Sequence, residues 1–494
     1  MVAKPSKSDT RIAILGAGMS GLGMAARLKA AGYTTFDIFE KSDGVGGTWR
    51  DNTYPGCGCD VPSHLYSYSF DLNPDWDYKW SLQPQILKYF EDFADKNDLR
   101  PHCRFNTEIT DCTYDEASAT WTLTERSGAS HTADVVVSGL GQLNVPSIPD
   151  FKGKDSFAGA TFHSARWDHS VDLDGKTVCV IGNGPSAVQF VPEIQKRVGK
   201  LINFQRSPAW CRPRGQREYT ASDKKAFRSQ PWRINWYRWR IRAYADFGFG
   251  AFMQKSPMGM SRSLKKMCAD HLEDQVKDEG LRALLTPDFE PGCKRILISD
   301  DYYPALCQPN VEVIRQGVRE ITPEGVVGED GVLRKCDVII FATGFQSTEF
   351  LTPMTVHGRG SVSLDAAWQD GAEAFKGVAV AGFPNLFLLY GPNTNLGHNS
   401  IILMVERQID YIIQCIDKIS EPGIASVDVT PSSMRAYNDA LQADLSKTVW
   451  AGDCASWYKT ESGKVTNNWS GKTTAYAAEM KAPDWADFQI VRAN

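Results

Sequence analysis

The chain has 494 residues, of which 42% are hydrophobic and 23% charged, with a net charge of −5. This is too long for one ordinary domain and predicts roughly two to four domains with real cores, not a disordered chain. The mild negative charge gives no reason to expect nucleic acid, and no window approaches the ~18 uninterrupted apolar residues of a membrane span. The best stretch, Gly377 to Tyr390, is broken by Gly382, Pro384 and Asn385.

The start, Met1 to Arg11, is polar and runs straight into an apolar strand. It leaves no room for a signal peptide, so a cytoplasmic location is the default. Twelve cysteines are scattered through the chain. The tightest pair, Cys57 and Cys59, lacks the two-residue gap of zinc or thioredoxin-like motifs. All are therefore expected to be free thiols in a reducing compartment, and no metal site is predicted.

In chain order, Ile12 to Leu15 reads as a buried strand that enters Gly16-Ala17-Gly18-Met19-Ser20-Gly21 and then a helix. In such a unit the first glycine permits a tight turn and the second lets the backbone approach a pyrophosphate. The third position must be small so that helix packs on strand. Thr35 to Phe39 is the next strand, and it ends in Glu40-Lys41. An acid at that place binds the ribose 2'-hydroxyl of a dinucleotide.

A second glycine-rich loop, Gly44 to Arg50, carries Gly47, Thr48 and Trp49, which are placed over a flavin. Asp60 lies between turn residues and an apolar segment and reads evenly as a solvated turn carboxylate or a buried functional one. Tyr66, Tyr68 and Phe70 follow as an aromatic cluster, and Tyr66 is placed at the cofactor. Trp80 to Leu99 is an amphipathic helix facing the core. Phe105 to Thr110, which includes the cofactor candidate Ile109, opens a small meander with Thr113 to Tyr114 and Trp121 to Thr124. Ala133 to Ser138 returns to the sheet, and Gly139 to Pro146 is a hinge between domains.

The nucleotide device recurs at Val178 to Ile181, followed by Gly182-Asn183-Gly184-Pro185-Ser186-Ala187, and Leu201 to Phe204 ends in Gln205-Arg206-Ser207. The spacing from the first glycine to the strand-end residue is 24 in both units, yet the charge at the ribose is opposite. An arginine there suits the 2'-phosphate of NADP. Two fingerprints with matched spacing are far stronger than one, and together they suggest a flavoprotein that takes hydride from NADPH. Pro185 removes one amide from the anion-binding turn.

From Arg212 to Glu290 the βα rhythm gives way to helical patterns, read as an insertion. Trp232, Trp236, Trp239 and Ala243 share one helical face with arginines around it. The expectation is that this face covers core or roofs a pocket, with membrane-surface contact as the alternative. Arg295 precedes a short apolar strand. Val338 to Phe341 is a strand ending in a small-residue turn, Leu386 to Tyr390 another strand, and Ser400 to Cys415 a helix.

Phe157-Ala158-Gly159 with His163 and Trp167-Asp168 resembles the fingerprint of type I Baeyer-Villiger monooxygenases, Phe-x-Gly-x-x-x-His-x-x-x-Trp-Pro/Asp, and stands just before the second nucleotide turn as it does there. The resemblance extends to the Gly-Gly-Thr-Trp loop, the Asp60 segment, Cys293-Lys294-Arg295 and Ala342-Thr343-Gly344. It implies an α/β fold with two Rossmann-like domains, for FAD and NADP, and a helical insertion of about 212–290 in the second. The boundaries expected are 1–143 for the first part of the FAD domain, 144–346 for the NADP domain, and 347–494 for the return to the FAD domain with a C-terminal segment.

The resemblance further implies FAD and NADPH/NADP+ as cofactors, and a small ketone and O2 as reactants. An oxygen atom is inserted next to the carbonyl through a C4a-peroxyflavin, giving an ester or lactone. It assigns Lys294 to the 2'-phosphate and Trp457 to the NADP ribose. It gives His163 a role in linking domains rather than acid-base work, and the helix after Ser400 a role in stabilising reduced flavin. Arg295 is the expected catalytic cation, because a deprotonated peroxide and a developing oxyanion both need fixed positive charge, and Asp60 would orient it. Other readings are an N-hydroxylating or sulfide-oxidising flavin monooxygenase and, in another class, a non-catalytic flavin/NADPH sensor. A monomer without membrane contact is expected.

Overall fold

A computed structural model describes residues 7–454 and 456–493. The first half of the polar start read above lies outside the described residues. Two five-stranded parallel sheets organise the chain. In the first the strands run in the order Leu386–Leu388, Val135–Ser138, Ile12–Leu15, Phe36–Phe39, Cys103–Arg104, with Leu15 in register with both Phe39 and Ser138. In the second the order is Val311–Ile314, Lys200–Phe204, Thr177–Ile181, Val338–Phe341, Ala160–His163, with Ile181 opposite both Phe204 and Phe341.

Both central strands are buried along their apolar runs, as parallel strands covered by helices on two faces must be. Helix Met19–Ala30 follows the first glycine turn and helix Pro185–Gln195 the second. Pro185 is the first helical residue, where its missing N–H would have had no helical partner in any case. This is the mixed α/β, doubly wound architecture expected of two dinucleotide-binding units. The last strand of the first sheet, Leu386–Leu388, comes from far down the chain, so the second sheet is formed by sequence lying between strands of the first.

Two stretches connect the sheets, and they lie side by side. Pro146 bridges Phe345 in antiparallel fashion, Ser147 N donates to Gly344 O at 2.9 Å, and Gln346 N donates to Val145 O at 3.0 Å. A four-stranded sheet of Ile109–Asp115, Thr120–Glu125, Ser130–Ala133 and Thr355–His357 stands where the meander is expected, but 105–108 is not a strand, the first two expected strands are one, Ser130–Ala133 is added, and the return segment supplies the last strand.

Residues 212–290 fold as helices Ala221–Ser229, Trp232–Gly248, Met260–Gln275 and Glu279–Leu285. Trp232, Trp236 and Trp239 do share one face, but that face is turned to solvent, with relative exposures of 63%, 52% and 57%. The opposite face, bearing Ile234 and Arg238, is the buried one. The expectation of a core or pocket roof is therefore corrected.

The cysteines need a second correction. Cys293 and Cys454 are joined as a disulfide, with Cα atoms 6.3 Å apart, while ten others are free thiols. Sequence separation of 161 hides the pair, and only packing of the segment before Lys294 against the C-terminal segment brings them together. Among the described residues no helix is long and apolar enough to cross a membrane, and no metal-binding cluster occurs.

Candidate active site

A cavity of about 860 Å³ opens at the carboxyl ends of both central strands, where Leu15, Phe39, Ile181 and Phe204 reach it. Ligands of open α/β sheets bind at such strand ends. Its wall brings together Gly16, Gly18, Ser20, Glu40, Lys41, Gly47, Thr48, Trp49, Asp60, Tyr66 and Ile109 from the first sheet's side. From the other side come Gly182, Gly184, Pro185, Ser186, Arg206, Ser207, Lys294, Arg295 and Trp457. Two expected contact residues are not on it. A Cβ at Gly21 would stand 1.9 Å from Gly16 O, and Ala187 is fully buried. Both let a helix pack against its strand rather than touch a ligand.

On the first side, Glu40 is buried at its strand end. Its Oε2 accepts from Ala17 N and its Oε1 from Ser42 N, both at 2.8 Å, so the carboxylate is locked beside the glycine turn. Gly47 crosses the turn so closely that a Cβ on it would be 2.9 Å from Gly18 Cα. The groove thus offers bare backbone amides and one fixed acid, which fits a pyrophosphate and ribose. Trp49 is pinned where it closes this loop, its Nε1 donating to Tyr66 OH at 3.1 Å.

On the other side, Lys294 Nζ donates to Ser207 Oγ at 2.6 Å. Burial, and then the neighbouring Arg206 charge, push the Lys294 pKa down. Two cations held close enough to disfavour each other mark a place for a dianion, as a 2'-phosphate would be.

Arg295 lies on the cavity wall facing Asp60. Its Nε donates to Asp60 Oδ2 at 3.1 Å, and Nη2 contacts the same oxygen. About a quarter of the Arg295 side chain and a third of Asp60 remain open to the cavity. Attraction to Asp60 outweighs burial and raises the Arg295 pKa further. Burial alone would raise Asp60, but the Arg295 charge prevails and holds its carboxyl below the usual range. Asp60 is thus a partly exposed carboxylate paired with Arg295 rather than a solvated turn residue.

Arg295 leads into the strand Leu297–Ile298, which pairs in parallel with Cys211–Arg212. The Asp60 segment is latched to helix Pro185–Gln195 through Gln189, whose Oε1 accepts from Tyr54 OH at 3.0 Å and whose Nε2 donates to Gly58 O at 2.9 Å.

Gln189 and Tyr54 had no motif to announce them. Nor did Tyr390, which lines the cavity in a left-handed conformation and donates to Asn395 Oδ1 at 2.7 Å; its position in the turn after a buried strand was the available signal. Burial raises the pKa of Tyr390, and that of Tyr458 goes up to about 12 for the same first reason, against the lowering pull of Arg295. Both phenols are therefore neutral.

Burial also pushes the Cys57 thiol up to about 12 and raises Cys59. Both are buried free thiols. His163 does not reach the cavity. It is buried at the end of its strand, Nδ1 accepts from Ala165 N at 3.1 Å, and its ring packs edge-on to Phe345 in the connecting segment. Burial pushes its pKa down to about 4, so it is neutral.

The family model described as flavin-binding monooxygenase-like matches residues 9–223. A Baeyer-Villiger monooxygenase of Streptomyces coelicolor is 41% identical over 98% of this chain and 93% of its own. One of Pseudomonas aeruginosa is 42% identical over 99% and 94%. Among solved structures, OTEMO in complex with FAD and NADP superimposes with a TM-score of 0.89 at 27% identity, covering 98% of this chain and 100% of that one. The closed form of cyclohexanone monooxygenase gives 0.87 at 26%, with coverage of 98% and 99%.

Proposed function

The chain belongs to the Baeyer-Villiger monooxygenase family, and from that premise we propose that it is an NADPH- and O2-dependent flavoenzyme inserting one oxygen atom beside a ketone carbonyl to give an ester or lactone. FAD, reduced by NADPH, supplies the oxygen activation when bound. The observation that carries the reading is the Arg295–Asp60 pair on a cavity that both glycine turns line.

As the carbonyl carbon is attacked, its oxygen gains negative charge. A guanidinium fixed before the reaction lowers that barrier without reorganising. Arg295 is the catalytic residue on this reading. Asp60 is a positioning residue that consumes one face of the guanidinium and leaves the rest toward the cavity. The backbone at the start of helix Ile401–Ile419 reaches the same cavity through Asn399 and Ile401, and its positive end favours an anionic group there.

The first cradle, with Glu40, holds FAD. The second, with Arg206, Ser207 and Lys294, holds NADPH, and Trp457 lies within reach of it. His163, beside the paired connections, couples the two halves rather than moving protons. The division into 1–143, 144–346 and 347–494 belongs to the same reading, and the paired connections at Pro146 and Phe345 support it. A cytoplasmic monomer is the accompanying assignment.

N-hydroxylation or sulfide oxidation is the second reading, and the fixed Arg295 charge favours the first, since a protonated oxidant needs no such cation. Incubating the holoenzyme with NADPH and, separately, a cyclic ketone, an alkyl sulfide and an amine tests this. Ester formed in proportion to NADPH consumed supports the proposal. NADPH consumed with only hydrogen peroxide, from O2, in the presence of every ketone, together with oxygenated amine or sulfide, overturns it.

A further inference from the structure

Helix Trp232–Gly248 has two faces of opposite character. Ile234 is buried, and Arg238 is buried beside it with Nη1 donating to Ser67 O at 3.0 Å and to Ser67 Oγ at 2.9 Å. At the helix end Asp246 is buried too, accepting from Asn399 Nδ2 at 2.9 Å and from Thr473 Oγ1 at 3.0 Å. These anchors fix the rotation of the helix about its axis.

At 100° per residue, Trp232, Trp236, Trp239 and Phe247 then fall within about 40° of the direction opposite Ile234. All four are more than half exposed. They present on the order of 500 Å² of aromatic surface in one strip, at the upper end of what a monomer exposes without a partner.

The rim of the strip is cationic. Arg233 lies over the Trp232 ring at 5.6 Å and Arg240 over the Trp236 ring at 4.8 Å, with Arg242 further along. None of the three meets a carboxylate among the described residues. The one acid on the helix, Asp246, is turned inward. Just beyond the helix Met258 is 79% exposed.

We propose that this strip docks the protein on an anionic phospholipid surface, with the tryptophans at the headgroup level and Arg233 and Arg240 on lipid phosphates. Three observations favour that occupant. Tryptophan and arginine together, with no exposed acid, are the composition of a helix lying in the membrane interface. The anchors hold the strip outward, so it cannot fold back onto its own protein. The rim cations Arg233 and Arg240 have no carboxylate partner among the described residues, and lipid phosphates would supply the missing charge. The docked helix also ends on the cavity, through the Asp246–Asn399 bond, so the lipid surface lies one helix from the cavity wall.

Flotation of the holoenzyme with vesicles tests this, using phosphatidylcholine alone or mixed equally with phosphatidylglycerol. Binding is expected to the mixed vesicles and to weaken with salt. It should fall by at least about tenfold in the triple variant Trp232→Ser/Trp236→Ser/Trp239→Ser and in the double variant Arg233→Glu/Arg240→Glu. The double variant keeps the tryptophans, so loss there is not explained by a misfolded aromatic face. No flotation, or equal flotation with neutral vesicles, overturns the proposal. So does a dimer in sedimentation velocity that the triple variant dissociates while the parent never floats, which would assign the strip to a second copy.

Discussion

Arg295 and Asp60 stand 235 positions apart in the chain and meet on one cavity wall, guanidinium Nε 3.1 Å from Oδ2. Removing the cation should leave reduction of the bound flavin by NADPH intact while ester formation falls by roughly 10²- to 10³-fold, the usual scale for losing a preorganised donor to an oxyanion. Arg295→Ala is the test, read as the ratio of ester to NADPH consumed. Asp60→Asn should fall by less, because the charge persists and only its aim is lost. The Asp60 carboxyl is held below its ordinary value. Its contribution to stability is therefore present at neutral pH and is lost only as pH falls below about 4.

Cofactor selectivity should respond to Lys294 and Arg206. A charge-assisted contact to a phosphate contributes about 1.5–3 kcal/mol, so Lys294→Ala should raise the KM for NADPH about 10- to 100-fold. NADH, lacking the 2'-phosphate, should be used as well by the variant as by the parent. Equal losses with both nucleotides would argue that Lys294 only supports the fold around Ser207.

Alkylation counts the thiols directly. Denatured without reductant, the chain should take up label at ten of its twelve cysteines, and at all twelve once reduced. Intact mass distinguishes the two, and the missing labels should map to Cys293 and Cys454.

Two histidines should give the protein an acid-side slope in stability. Burial pushes the pKa of both His64 and His163 down to about 4 from an ordinary 6.5. Between those values the unfolded chain binds protons that the folded one refuses. Stability is therefore complete above about pH 6.5 and declines toward pH 4, by up to about 1.4 kcal/mol per pH unit for each histidine. His163→Gln should flatten part of that slope in melting temperatures measured across the range.

What could be read beforehand divides along a physical line. The glycine turns at Gly16 and Gly182 and the strand-end Glu40 and Arg206 obey local rules, because turn, helix start and strand end all fall within one βαβ unit. The Arg295–Asp60 pairing was legible only through family resemblance, since nothing local makes a carboxylate choose a guanidinium so far along the chain. Cys293 and Cys454 were misread for the same reason. In the insertion, periodicity correctly grouped Trp232, Trp236 and Trp239. Which side of a helix meets the protein, however, is decided by Arg238 and Asp246, whose partners lie in other elements.

The paired connections at Pro146 and Phe345 carry a mechanical consequence. A body hung from one strand can swing about any direction, whereas two strands laced by hydrogen bonds resist bending in the plane of their lacing and yield mainly to twist about their common line. Relative motion of the two sheets would thereby be confined to something near a single coordinate, close to where the His163 ring packs on Phe345.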